Sequence, residues 1–234
     1  MGAIYRREMG AFFTSGIGYV FLAVFALFSG LFFSMGVIGS GVSDMSPMFS
    51  SMFIIVLFLI PILTMRLLSE EKKNRTDQGL LTAPVSLSSI VLGKYFAALT
   101  LFIIAESIVF IYSVIIALCG DVIWSTLLGN YFAMLFLGAA FIAIGLFISS
   151  LTENQMAAAV ISMFVLFILY LLDSLASSVP WDFLKKALLS LSFYSRYTEF
   201  TSGLFDFSSV LFFLSTAVLF NFFTVRVLDK KRWG

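Results

Sequence analysis

The chain has 234 residues, of which 61% are hydrophobic and 12% charged, with a formal net charge of +1 and a mean hydropathy of +1.07. A water-soluble domain of this size does not carry so much apolar side chain, so lipid is the solvent for most of the chain. Histidine is absent and cysteine occurs once, at Cys119, which excludes histidine-based triads, most zinc sites and any internal disulfide, while the near-neutral charge gives no footprint for nucleic acid.

A helix needs about 20 apolar residues to cross about 30 Å of hydrocarbon. Six stretches meet that length, near residues 17–38, 49–68, 92–118, 126–149, 156–176 and 208–227. Their apolar runs are continuous, as over Phe53–Ile60, and not alternating, which favours helices over a β-barrel. The expected fold is all-α: a polytopic bundle of six transmembrane helices forming one domain over 1–234, with short connections except at 69–91 and 177–207.

Before the first span, Ala3–Thr14 mixes Arg6, Arg7 and Glu8 with Ile4, Met9, Phe12 and Phe13. Ile4 and Ala11-Phe12 can share a face, which predicts a short interfacial helix with basic side chains towards anionic headgroups; a frayed basic tail is the alternative. No cleavable signal peptide is expected, and Arg6 excludes an N-myristoylation site. Gly16 and Gly18 permit the turn into the first span.

Ser46-Pro47 reads as an N-cap followed by proline at the first helical position of the second span, and Pro61 should kink that span. The dense polar run 69–79 follows. Glu70, Glu71, Lys72, Lys73 and Arg75 are helix formers, Glu71 and Arg75 have i,i+4 spacing, Gly79 can stop the helix and Pro84 can restart structure. A plain solvated face is the other reading of such a run.

In the third span Glu106 lies deep in the apolar sequence, where an acid costs roughly 3 kcal/mol, so it should face the bundle or water. A role in a pathway and a structural hydrogen bond both remain open. Gly138, Ala139, Ala143 and Gly145 predict close packing in the fourth span. The turn 149–155 has capping-box spacing between Thr152 and Gln155. Asp173 falls at the outer end of the fifth span and reads as interfacial. The long connection 177–207 carries Trp181, Phe183, Leu184, Leu188, Phe193, Tyr194, Tyr197 and Phe200, too apolar for a free loop and too interrupted to span. Two short helices dipping into the outer leaflet, broken near Ser192–Ser195, are predicted.

Lys and Arg placement sets orientation. With the N-terminus inside, Arg6, Arg7, Arg66, Lys72, Lys73, Arg75, Lys94, Arg226, Lys230, Lys231 and Arg232 are cytoplasmic, eleven of the fourteen basic residues, against Lys185, Lys186 and Arg196 outside. Both termini are therefore expected in the cytoplasm, with the chain integral to the inner membrane.

Several chemistries lack their parts. Gly93-Lys94-Tyr95 has neither the upstream glycine nor the following Ser/Thr of a nucleotide-phosphate loop. Glu70-Glu71 followed by Arg75 resembles the first motif of intramembrane CAAX-type proteases, but those enzymes need histidines. Asn74-Arg75-Thr76 is a glycosylation sequon on the wrong predicted side. The chain is not expected to hydrolyse anything by itself.

Ile60–Arg66, Glu70-Glu71, Thr76, Leu80–Val85 and Val91–Lys94 resemble the second-span and coupling region of type-2 ABC exporter permeases. Ser149–Gln155 leading into Ala157–Val160 resembles the family's second cytoplasmic turn, and Tyr5–Glu8 with Gly16–Tyr19 its N-terminal interfacial helix and first span. The resemblance runs through the chain in order and is nearest the gliding-motility-type branch, with Gly16-Ile17-Gly18 standing where a proline-bearing turn is usual. It implies a six-helix half-permease that pairs with a second permease subunit, identical or not, and with two ATPase subunits; an accessory membrane or extracytoplasmic subunit is also possible. ATP and magnesium would belong to the partner ATPase, with no cofactor bound by this chain. Glu70, Glu71, Lys72, Arg75 and Thr76, with Glu153 and Asn154 in the second turn, would be the ATPase-coupling positions. Trp181, Phe193, Tyr194 and Tyr197 would belong to a re-entrant hairpin capping the outer end of the path, and Glu106 and Asp173 would be the intramembrane polar positions. A stand-alone secondary transporter or channel would show several intramembrane charges and an internal repeat, which this chain does not; a non-transporting membrane scaffold is the third class.

Overall fold

The computed structural model describes residues 1–76, 79, 85–201 and 206–233. All regular structure among them is helical. The helices are α1 (Gly2–Thr14), α2 (Ile17–Phe33, extended by a π-helical turn Ser34–Ile38), α3 (Ser46–Thr64), α4 (Arg66–Lys73), α5 (Leu87–Glu106), α6 (Val109–Cys119), α7 (Trp124–Leu151), α8 (Gln155–Ser178), α9 (Asp182–Leu191), α10 (Phe193–Thr201) and α11 (Phe207–Trp233). Six helical rods are long and apolar enough to cross a membrane: Ile17–Ile38, Ser46–Lys73, Leu87–Leu118, Trp124–Leu151, Gln155–Ser178 and Phe207–Lys231. These are the six spans expected from the sequence.

The bundle is built around α7, the most buried span, which packs against α3, α5, α8, α10 and α11. Small residues make this possible. A Cβ on Gly138 would stand 2.2 Å from the Phe102 ring of α5, and one on Gly145 would stand 2.2 Å from Thr64 Oγ1 of α3. Between lipid tails no hydrophobic force separates helix–helix from helix–lipid contact, so such close approach and its dispersion energy hold the spans together.

Local details depart from the sequence reading in instructive ways. The third span is not one helix: α5 ends at Glu106 and α6 starts at Val109, with the Ile108 N–H bonded to Ala105 O at 3.3 Å in a tighter turn. Ser107 Oγ donates to Ile103 O at 2.7 Å, a side-chain bond back to the helix that favours bending. At the start of α3 the accepting side chain is Asp44, whose Oδ1 takes bonds from Ser46 N at 3.0 Å and Ser46 Oγ at 2.7 Å; Ser46 is already helical. At the start of α8 the cap is Asn154 and not Thr152. Asn154 Oδ1 accepts from Met156 N at 3.0 Å and Ala157 N at 3.4 Å, while Thr152 Oγ1 accepts from Asn154 N. Asn and Asp reach the first free N–H groups with short, stiff side chains, which is why they win both positions.

Between α8 and α11 the chain forms two short helices, α9 and α10, broken at Ser192, whose Oγ accepts from Ser195 N at 3.2 Å. Phe193, Tyr197 and Phe200 of α10 are buried against the bundle, and Tyr197 Oη donates to Phe49 O at 2.9 Å. Trp181 and Phe183 are exposed, Tyr194 is half-buried and stacks edge-on against Phe53.

The α7 contacts are open to test. Gly145→Ala is expected to lower the unfolding midpoint in detergent, at an overpacking cost of about 1–3 kcal/mol. Gly129→Ala, where a Cβ meets nothing within 4 Å, should be neutral or stabilise by up to about 1 kcal/mol. Equal melting of the two variants would show that α7 does not lie this close to α3.

Candidate functional site

Three separate parts of the sequence meet at one end of the bundle. The buried face of α1 is Ile4, Glu8 and Phe12, one residue per turn, so an acid sits in the middle of an apolar stripe. Gly93 on α5 lets α1 approach: a Cβ there would lie 3.0 Å from Ile4 Cγ2. That approach carries Glu8 onto Lys94, whose side chain is 1% exposed. Lys94 Nζ lies 2.9 Å from Glu8 Oε1 and 3.0 Å from Glu71 Oε1 of α4. Arg7 closes the cluster, with Nη2 at 2.8 Å from Glu8 Oε1 and paired as well with Glu71. Two acids and two bases balance, which is the condition for burying charge at all. Burial raises the Glu8 pKa, but Lys94 and Arg7 outweigh it and hold the carboxyl below its usual range. The hydrogen bond to Glu8 and the field of Glu71 hold the Arg7 guanidinium above its own.

A second latch joins the same helices. Arg66, the first residue of α4, pairs with Glu70 at 3.1 Å, donates to Ser15 Oγ beyond the end of α1, and stands 5.8 Å over the Phe12 ring. A third joins α4 to the end of α7. Ser149 Oγ donates to Met65 O at 3.0 Å and accepts from Leu68 N and Ser69 N, each at 3.1 Å, and Lys72 Nζ donates to Ser150 O. Met65, still in αR conformation, is the only residue between α3 and α4, so the charged helix continues the second span almost without interruption.

α4 ends at Lys73 and is closed by a turn at Arg75, short of Gly79. Arg75 takes φ 55°, Thr76 N bonds to Glu71 O at 2.9 Å and Arg75 N to Lys72 O at 3.0 Å, the double closure of a Schellman turn. A non-glycine residue in the left-handed region costs about 1–2 kcal/mol. With the helix ended there, the expected Glu71–Arg75 pair cannot form, and Glu71 turns inward to Arg7 and Lys94. The predicted site residues thus divide. Glu70 and Glu71 are half-buried and Lys72 is buried, all engaged within the chain; Arg75, Thr76, Glu153 and Asn154 are exposed. The motif at Leu80–Val85 and the restart at Pro84 fall on residues 80–84, outside the described residues.

The intramembrane positions also divide. Asp173 is half-buried near the end of α8. Glu106 is fully buried, and among the described residues neither carboxyl oxygen has a hydrogen-bond partner, so the structural hydrogen bond allowed by the sequence is not seen among them. Arg7, Glu8, Lys94 and Ser149 escaped the sequence reading as site residues. Two signals marked them: a lone acid at i+4 between Ile4 and Phe12, and a lone lysine between Val91-Leu92-Gly93 and Tyr95-Phe96. Among the described residues no group of three or more His, Cys, Asp or Glu could hold a metal ion.

The family described as ABC-2 family transporter protein matches the chain over residues 40–209. No curated protein matches it.

Removing Lys94 should be costly, because it leaves the buried Glu8 and the half-buried Glu71 with one exposed arginine. Lys94→Met is expected to lose about 3–5 kcal/mol of stability and to free α1 for proteolysis, with Lys94→Arg milder. The pH dependence has a fixed sign. The Glu8 pKa is lower in the folded chain, so its contribution is complete above the ordinary glutamate value of 4.5 and is lost as pH falls through the lowered one. The melting difference between wild type and Glu8→Gln should be present at pH 7 and shrink as the pH falls from 4.5 through the lowered Glu8 value. A difference that is constant across that range would remove Glu8 from the cluster.

Proposed function

Since the chain belongs to the ABC-2 family of transporter proteins and is the membrane permease component of an ABC transporter, we propose that α4 and the adjoining turn 152–154 receive the power stroke of a separate ATPase subunit. The observation that carries this reading is mechanical. α4 continues the second span through Met65, is clamped to α1 and α5 by the Arg7–Glu8–Glu71–Lys94 cluster, and is tied to α7 through Ser149 and Ser150. A push on α4 therefore moves four helices together. Elements packed this tightly shift between discrete arrangements instead of deforming gradually.

The surface left for a partner is the exposed tip Lys73, Asn74, Arg75 and Thr76, beside Glu153 and Asn154. Glu70 and Glu71 support this tip from within, so reversing their charge would break the chain's own contacts as well as any docking. Nucleotide, magnesium and hydrolysis belong in this reading to the ATPase, since no phosphate loop is present in the chain. In the complete transporter two ATPase subunits would serve two permeases. The second permease, another copy or a related chain, would cover the apolar faces of α2 and α8, where Leu27, Met35, Val160 and Phe164 are exposed. An accessory membrane or extracytoplasmic subunit fits the same scheme. In this reading α4 and both termini face the cytoplasm, which the balance of basic residues supports, and the resemblance of the motifs implies an inner-membrane exporter of the gliding-motility type. α1 is then the interfacial helix, and α9–α10 the re-entrant outer hairpin, with Phe193 and Tyr197 rooting it in the bundle.

The test uses the exposed tip. Lys73→Glu with Arg75→Glu leaves every internal pair of α4 intact and should keep the folding stability within about 0.5 kcal/mol of wild type. ATPase association and substrate-stimulated hydrolysis in the reconstituted complex should fall at least about tenfold, as charge reversal at an interface costs several kcal/mol. Unchanged association and stimulation would show that the tip is a solvated face and that the ATPase docks elsewhere.

A further inference from the structure

A trough of about 470 Å³ runs along the outside of the bundle between α5, α7 and α11. Leu92 and Phe96 of α5 face Val218 and Phe222 of α11 across it, and the small buried Ala139 and Ala217 form its floor. On α5 the lining extends from Ser88 to Ile103, about 22 Å of helix at 1.5 Å per residue. So little volume over that length is one hydrocarbon chain wide. A transmembrane helix, with a diameter of about 10–12 Å, would lie across the rim of such a trough and leave its floor unfilled.

Two polar features distinguish the trough from ordinary lipid-facing surface. Asn221, which lines it, is 7% exposed; its Nδ2 donates to Ala217 O at 2.8 Å, and among the described residues its Oδ1 has no hydrogen-bond partner. A buried amide left half-satisfied in lipid is costly, and such groups mark places where something polar binds. The α4-side mouth is polar as well. Ser88 opens it, at the N-terminus of a 20-residue helix whose cap Ser86 accepts from Ser89 N at 3.3 Å. Across the mouth, the Arg226 guanidinium lies 5.0 Å over the Phe222 ring, with Asp229 at 3.9 Å. A helix N-terminus and a guanidinium both favour a phosphate. Asn221 lies four residues from Val225, about 6 Å deeper into the membrane along α11. That is one step below the mouth, where the ester carbonyls of the glycerol follow the phosphate; Asn221 Nδ2 has a second hydrogen, beyond the one given to Ala217 O, that such a carbonyl can accept.

We infer that this trough is a binding site for one phospholipid from the leaflet on the α4 side: phosphate between the α5 N-terminus and Arg226, glycerol region against Asn221, and one acyl chain along Leu92, Phe96 and Phe222. The lipid is a fixed part of the permease, and the inference does not depend on the ATPase-coupling reading, since the permease alone carries the measurement. It fills a seam between the third and sixth spans that the chain leaves unpacked.

The permease purified in detergent is expected to retain one phospholipid per chain in native mass spectrometry. After delipidation, a diacyl phosphatidylglycerol should raise its unfolding midpoint, whereas inorganic phosphate and a long-chain fatty alcohol should not. Val218 is 69% exposed, so Val218→Trp blocks the trough from its open side without entering the core; it should abolish both retention and stabilisation. Asn221→Ala, which removes the lining amide and keeps the apolar walls, should weaken retention, and Arg226→Glu should require about tenfold more phospholipid for the same shift. Wild-type retention and stabilisation in Val218→Trp would overturn the site. So would a fatty alcohol or phosphate matching the phospholipid, or a co-purifying polypeptide in the trough that lipid does not displace.

Discussion

A lysine ammonium buried between two carboxylates is the contact on which the charged end of this molecule depends. Lys94 sits 1% exposed at the start of the third span, and each of its acidic partners comes from a different helix. Alone, any of these charges would keep its helix in water. Together they hold α1, α4 and α5 in one register that cannot slide, because a shift of one turn would leave an ion buried without a partner. Apolar packing alone would not fix that register, since one lipid-bathed face is much like another.

The same end of the bundle shows how an exposed surface can be joined rigidly to the interior. Ser149 uses one hydroxyl three times, giving a bond to Met65 O and accepting two from α4, at the point where the second span becomes the charged helix. Three residues beyond Ser69 in α4, Lys72 reaches the Ser150 carbonyl. The glycines that draw α7 against Thr64 and Phe102 extend this stiffness towards the far side. A polar tip, a proline-bearing span and the most buried helix are therefore joined as one body, which is what the proposed coupling to an ATPase needs.

Architecture was legible in the sequence because lipid imposes it. Six continuous apolar runs had to be six spans, and the aromatic stretch after Ser178 had to be two interrupted helices, since nothing else satisfies both the backbone and the side chains. The site was legible only in part. The charge-rich segment announced itself, but its boundary did not. Arg75 ends α4 in a conformation that glycine usually supplies, so Gly79 was the more obvious stop. The inward turn of Glu71 was hidden for the same reason that Lys94 was: pairing across 23 residues and two helices leaves no local spacing to read. Glu8 came closest to being readable, an acid at i+4 within the apolar face of α1. The break after Glu106 left no glycine or proline to mark it, only Ser107.

The cluster also constrains how the chain is made. Glu8 and Glu71 leave the ribosome before Lys94, so for a time two acids on separate segments have no central cation. Until the third span arrives, α1 and α4 can rest at the membrane surface with their carboxylates in water. Only when Lys94 follows Gly93 into place can both be drawn under the bundle's edge together. The third span thus acts as the keystone in the order of assembly: the two helices synthesised first are locked by one synthesised later, and a chain halted between them has its spans without their register.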